Sequence, residues 1–334
     1  MTRSENLVVM ESFHEPRPTT NPYICMLLAS LRDVRGLDIR VFSWRRALLG
    51  RLDVFHAHWP EILISANSVA GRIVRESLFT LFLARLWITR TPVVRTQHNL
   101  HRPSGMSRIQ NLLLGGMERL TVHSIVLNEA TPVPAGQGST LVPHGHYRDW
   151  FAQYSKPEAK DGQLGYFGLI RRYKGVDTLI RAFRELPGDV SLRVAGNPST
   201  QELAAELREI ADGDARVTFE LHFLSDEELV QVVRTSQLLV LPYPEMHNSG
   251  AVLAALSLDR PVLVQHNEVN DALAAEVGDQ WVIRYSGQLD SESLAAALRS
   301  LPDAAHGRPD LSRREWADCG RAHLAAFKAS RSGH

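Results

Sequence analysis

Short β-branched runs alternate with longer stretches of helical periodicity along almost the whole chain. Residues 7–10, 39–43, 54–56, 93–96, 124–127, 163–167, 191–195, 217–220, 238–241, 262–264 and 281–284 read as strands. The clearest helical patterns are 23–32, 67–88, 107–120, 176–186 and 294–301. Strands that alternate with helices build parallel sheets covered on both faces. Eleven strands are many for one open twisted sheet, so the pattern predicts an α/β protein of two doubly wound domains. An eight-fold barrel is the rival, disfavoured by a break near the middle of the chain.

That break is 142–162, with Pro143, Gly145, Pro157 and the polar stretch 156–160. It divides the chain into a first domain at 1–147, a linker at 148–162 and a second domain at 163–311. A last helix, 312–330, follows the Pro309 turn and is expected to cross back to the first domain. Three Ser-x-x-Glu signatures, Ser199/Glu202, Ser225/Glu228 and Ser312/Glu315, mark helix starts, since the serine caps free amides and the glutamate reaches back.

Composition changes this picture in one respect. The 37 basic and 37 acidic residues cancel, which disfavours a nucleic-acid binder. The halves do not cancel: residues 1–150 carry 17 Arg and no Lys against 11 acids, and the remainder is acidic by the same margin. Cys25 and Cys319 are too few for a disulfide scaffold and have no metal-site spacing. No signal-peptide pattern or membrane-length apolar segment occurs, so a soluble, cytoplasmic protein is expected. The helix at 73–88 carries Phe79, Phe82 and Trp87 beside Arg72, Arg75, Arg85 and Arg90. It either lies on anionic lipid or packs on the core with its arginines reaching to water, and packing is the preferred reading.

No phosphate-binding Walker loop, dinucleotide fingerprint, nucleophile elbow or HExxH zinc motif is present. Two segments remain at predicted strand ends. From Gly165 to Phe183 a strand ends at Gly168, a loop carries Arg171, Arg172 and Lys174, and a helix starts near Gly175. Basic side chains beside free helix amides suit a diphosphate, although a solvated turn has the same composition. From Leu238 to Val264 a buried strand runs through Pro242 and Pro244 to Glu245, Asn248, Ser249 and Gly250, then into a small-residue helix. There a capped helix could turn its amides to phosphate and Glu245 could take sugar hydroxyls.

Together these segments resemble the second half of GT-B glycosyltransferases, especially the large retaining family 4 and its bacterial exopolysaccharide relatives. The Gly-(x)5-Lys-Gly loop from Gly168 to Gly175 has the family spacing, with the arginine at Arg171 as in one subtype. The resemblance implies two Rossmann-like domains facing a cleft, and donor-binding roles for Gly168, Arg171, Lys174, Asn197, Glu245, Asn248, Ser249 and Gly250. It departs at the family's Glu-x7-Glu signature, whose second position falls on Leu253 or Ala254. The likeness extends more weakly to the first half. The segment Pro92–His101 is similar to the family's strand-then-histidine segment, which gives His98 a catalytic place beside donor sugar and acceptor. Val142–Tyr147 resembles the segment that ends the first domain.

His56 and His58 alternate onto one side of a strand end. As a zinc pair they lack a third ligand nearby, so no metal is expected, and His58 is placed on the cleft rim. Thr20 and Asn21, where many relatives have a glycine pair, either contact a ligand or cap the next helix.

The resemblance implies a metal-independent hexosyltransferase with no cofactor besides its nucleotide-sugar co-substrate. GDP-mannose is the implied donor, with UDP-sugars open, and a lipid-linked oligosaccharide or polysaccharide precursor the implied acceptor. A basic first half fits an anionic acceptor or the inner face of a membrane. A non-hydrolysing sugar-nucleotide epimerase and a non-catalytic nucleotide-sugar-binding protein are the alternatives.

Overall fold

Apolar strands with small or capping residues behind them settle into two parallel sheets in the computed structural model, which describes residues 6–301 and 307–332. The described residues form two units, one from 6–145 with 314–332 and one from 146–301 with 307–313.

The first unit runs β1 (Leu7–Glu11), α1 (Pro22–Arg32), β2 (Leu37–Arg40), α2 (Trp44–Leu49), β3 (Val54–Ala57), α3 (Glu61–Ile64), α4 (Val69–Ile88), β4 (Val93–Gln97), α5 (Arg108–Leu120), β5 (Thr121–Val126) and β6 (Gly138–Leu141). Its sheet has the order β2-β1-β3-β4-β5-β6 with every pair parallel. Val9 pairs with Val54 and Phe55 with Val93, so the most apolar strands lie at the centre. Phe55 and Phe82 meet edge to face at 4.8 Å, in a core with Met10, Phe42, Phe79 and Leu86. A fully buried phenylalanine contributes roughly 1.5–3 kcal/mol.

The second unit runs α6 (Arg148–Phe151), β7 (Gln163–Phe167), α7 (Val176–Arg184), β8 (Ser191–Ala195), α8 (Gln201–Ala211), β9 (Val217–Glu220), α9 (Asp226–Thr235), β10 (Leu238–Leu241), α10 (Gly250–Ser257), β11 (Val262–Gln265), α11 (Glu268–Val277), β12 (Val282–Tyr285) and α12 (Ser291–Arg299). Its parallel sheet has the order β12-β11-β10-β7-β8-β9. The last helix, α13 (Trp316–Ser332), packs on α1, β5 and β6 of the first unit. Gly145 permits this, because a Cβ there would enter the Trp316 ring.

Several expectations need correction. Strand 39–43 is instead β2, two residues earlier, because Phe42 turns into the core and Ser43 caps α2 by accepting the Arg46 amide. β6 went unread because Gly138–Leu141 is a mostly exposed edge strand without an apolar run. Ser225/Glu228 is a complete capping box, but Thr200, not Ser199, caps α8. The Ser199 amide is spent on the Ile170 carbonyl. Ser312 opens a single tight turn, Ser312–Arg314, ahead of α13. Within the second unit, Tyr147 donates its amide to Ser257 Oγ, and Trp150 Nε1 donates to Asp226. Only one face of α4 packs as expected. Phe79, Phe82 and Leu86 are buried, whereas Ile73, Val74, Leu81, Trp87 and Ile88 are more than half exposed.

Candidate functional site

Ligands of open parallel sheets bind beyond the carboxyl ends of strands, where the strand order reverses. The first sheet reverses between β1 and β3, and the second between β7 and β10. The chemistry-bearing residues of each unit lie at those two places.

In the first unit, β1 ends on Glu11 and β3 is followed by His58. The Glu11 carboxylate is fully buried, a state that costs several kcal/mol unless the charge is paired. It receives two hydrogen bonds instead, from His56 Nδ1 at 3.0 Å and from His58 Nε2 at 3.1 Å. Burial alone would raise its pKa, but His56 and His58 outweigh burial and hold it down at about 2. The chain of contacts continues at both ends. Thr96 Oγ1 is 2.8 Å from His56 Nε2, and His98 Nε2 is 2.9 Å from His58 Nδ1. Trp59 stacks on the half-buried His98 ring at 4.0 Å between centroids, and Tyr23 meets it edge-on at 5.4 Å. His144 and Trp316 pack on Tyr23 in turn.

His58 is therefore not a rim residue. It is buried behind His98, whose ring is the more exposed. The third group missing from the His56/His58 pair in sequence is Glu11, 45 residues away, and the three offer ligand atoms within 4.8 Å of one another. Their contacts are those of a hydrogen-bonded relay, with ring nitrogens directed at carboxylate oxygens. Thr20 and Asn21 do loop work: Thr20 Oγ1 accepts the Arg17 amide, and Asn21 caps α1 by accepting the Tyr23 amide.

In the second unit, Gly168 ends β7 with φ +112° and Gly196 ends β8 with φ +146°, both conformations that favour glycine. The two turns touch so closely that a Cβ on Gly196 would lie 1.7 Å from the Gly168 carbonyl oxygen. Arg171 binds both loops, donating from Nη1 to the carbonyls of Ile170 (2.8 Å) and Asn197 (3.1 Å), which leaves further guanidinium donors unspent there. Arg172 instead pairs with Glu206 at 2.7 Å. Gly175, at φ +67°, lies against the Pro242 carbonyl, so the β7 loop meets the start of the β10 loop. Lys174 Nζ lies 4.6 Å from the Tyr243 ring centroid. Burial and then Arg171 lower the Lys174 pKa to about 8.

Along the β10 loop Glu245 is exposed and Asn248 half-buried. Ser249 caps α10 by accepting the Val252 amide, which leaves its hydroxyl hydrogen to donate. Leu253 and Ala254 are both buried in α10, so no second carboxylate replaces the one absent from the signature. This unit thus presents a cation, a guanidinium and a helix N-terminus on neighbouring loops, the chemistry of an anion site. Glu11, Thr96, Trp59, Tyr23 and Tyr243 were not singled out in the sequence. Only Glu11 left a signal, as a lone acid closing the apolar run Leu7–Met10.

The family described as "Glycosyl transferases group 1" matches residues 161–303. Over 323 residues the chain is 40% identical to the GDP-mannose:glycolipid 4-beta-D-mannosyltransferase of Xanthomonas campestris pv. campestris, covering 96% of this chain and 92% of that one. Among solved structures, HepE of Anabaena in complex with UDP is similar at a TM-score of 0.61 and 13% identity, over 98% of both chains. A glycosyltransferase of avilamycin A biosynthesis is similar at a TM-score of 0.58 and 14% identity, over 98% of this chain and 99% of that one. The chain belongs to the group 1 glycosyl transferases and is a glycosyltransferase with the GT-B fold.

Proposed function

We propose that this enzyme transfers mannose from GDP-mannose to a hydroxyl of a lipid-linked glycan, forming a β linkage without a metal ion. The observation that carries the reading is the 40% identity, over nearly the whole chain, to a GDP-mannose:glycolipid 4-beta-D-mannosyltransferase. GDP-mannose holds its sugar in α linkage, so a β product requires inversion at the anomeric carbon. Inversion in one displacement needs a base for the acceptor proton. The sequence alone leaves retention and inversion open, and the β linkage named for that relative is what favours inversion. Lys174, Arg171 and the α10 amides take the growing charge of the leaving diphosphate, the role a divalent cation would otherwise fill. Gly168 and Asn197 shape that loop, while Glu245, Asn248, Ser249 and Gly250 contact the donor. His98 faces the acceptor.

The test is incubation of the purified chain with GDP-mannose and a lipid-linked glycan. Acceptor-dependent GDP release and a β-mannosylated product are expected. Free sugar without acceptor would favour an epimerase or hydrolase, binding without turnover a binding module, and a shift in Tm by UDP-sugars alone another donor.

Membrane contact belongs to the same proposal. No described helix is long and apolar enough to cross a membrane. The outward face of α4 nevertheless presents Ile73, Val74, Leu81, Trp87 and Ile88 to solvent, and the adjoining α5 adds Ile109 and Leu112. Exposed arginines lie on the elements beside this stripe: Arg45 and Arg46 on α2, Arg90 just after α4, and Arg108 and Arg119 on α5. An apolar helix face with a basic surround fits an anionic bilayer, each basic residue adding about 1 kcal/mol. The enzyme would then work peripherally at the inner face of the membrane, where a lipid-linked acceptor resides.

A further inference from the structure

We propose that Glu11 and His58 are positioning residues that set the tautomer of His98, so that His98 Nδ1 takes the proton of the acceptor hydroxyl. This rests on the inverting transfer proposed above and adds the device that would perform its proton step.

The assignment follows from what each group can donate. An ionised carboxylate only accepts hydrogen bonds. Glu11 therefore receives an N–H from His58 Nε2 across the 3.1 Å contact. A neutral imidazole has one N–H, so His58 Nδ1 must accept, and the hydrogen in its 2.9 Å contact comes from His98 Nε2. The His98 lone pair then belongs to Nδ1. Burial, and after it His56, lowers the His58 pKa to about 4, so the ring is neutral near pH 7. Burial likewise keeps His98 well below the ordinary histidine value. The ring plane is fixed as firmly as the tautomer, since Trp59 covers one face at 19° and Tyr23 stands edge-on.

In the reaction the acceptor oxygen forms a bond to the anomeric carbon. The bond from that carbon to the diphosphate oxygen breaks, and its electron pair leaves on GDP. The hydroxyl proton passes to His98 Nδ1. The imidazolium so formed keeps its Nε2–H on His58, whose far edge rests on the Glu11 carboxylate. A fixed negative charge thus lies at the end of the chain whose other end becomes positive in the transition state. This is preorganised stabilisation that the ground state does not need. Thr96 and His56 hold the second flank of Glu11, which keeps the carboxylate aimed.

Glu11→Gln puts this to the test with little change of shape. A glutamine amide carries no negative charge and turns one of the two accepting oxygens into a donor, so the anionic end of the chain is lost and the hold on the two histidines weakens. With ¹⁵N-histidine NMR on the full chain, wild type is expected to show His98 protonated on Nε2 and bare on Nδ1. Glu11→Gln is expected to change that signature. It should lower kcat at least thirtyfold while leaving KM for GDP-mannose within twofold, and Glu11→Asp should recover part of the loss. A merely structural Glu11 would lower Tm without moving the tautomer. If Glu11→Gln does not fold, His58→Asn, which keeps an amide near His98 but loses the reach to Glu11, is expected to show the same loss of kcat. Wild-type kcat in either variant, or His98 protonated on Nδ1 in wild type, would overturn the proposal. Failure of wild type to consume GDP-mannose would sink the transfer reading instead and leave the tautomer measurement to judge the relay.

Discussion

Lys174 Nζ and the Tyr243 hydroxyl lie 3.4 Å apart, so the ammonium is held over the start of the β10 loop. The lysine belongs to the loop after β7 and the tyrosine to the loop after β10, the two strands between which the sheet order reverses. Lys174→Ala is expected to weaken GDP binding at least tenfold, about 1.4 kcal/mol. Isothermal titration calorimetry checks this. Because the free-enzyme pKa of Lys174 is about 8, the ammonium is charged below pH 8 and is lost above it. GDP affinity should therefore fall between pH 7 and 9 in wild type and stay flatter in Lys174→Ala.

Gly196→Ala tests the contact between the β7 and β8 turns. Its φ of +146° and the Gly168 carbonyl leave no room for a methyl group. Strain of roughly 1–3 kcal/mol plus displacement of the Gly168 turn is expected, read as a lower Tm of the second unit and loss of GDP binding. Gly188→Ala is the control. It also has a positive φ, but no atom lies within 4 Å of the added methyl, so it should cost some stability and spare binding.

The first unit should be acid-sensitive. Burial lowers His58 and His144 to about 4 and His323 to about 3, against an ordinary value near 6.5. The unfolded chain therefore binds these protons first, and stability falls as pH drops through 6.5 towards those values. Each histidine contributes a slope of about 1.4 kcal/mol per pH unit. His323 Nδ1 donates to the Cys319 carbonyl, while its buried Nε2 has no partner among the described residues. His323→Leu should remove one histidine's share of the slope and raise Tm at pH 5 more than at pH 8, as measured by calorimetry.

The α4 face predicts a separation of binding from chemistry. Ile73→Asp with Leu81→Asp should lower affinity for phosphatidylglycerol vesicles at least tenfold in a sedimentation assay. GDP binding should be unchanged, because both residues are exposed on a helix remote in sequence from the loops proposed to bind the donor. Equal binding of wild type and the double variant would remove the membrane proposal.

The order of strands and helices, the basic glycine-flanked loop from Gly168 to Gly175 and the Asn248–Gly250 cap were legible in the sequence because each is local. Strand runs, glycine turns and capping residues act within about ten positions of themselves. Even the errors there were local competitions, such as Ser43 leaving a strand to cap α2 and Thr200 displacing Ser199. Which charged groups meet was not legible. Glu11, His58 and His98 are separated by 47 and 40 residues, and only the parallel pairing that sets β1 beside β3 and β3 beside β4 turns them into one hydrogen-bonded chain. The same holds for α4, whose apolar residues spell out an amphipathic helix but not which of its two apolar faces is covered. A sequence fixes what each residue can donate, accept or bury, and the tertiary fold decides which of those capacities are spent on the protein itself.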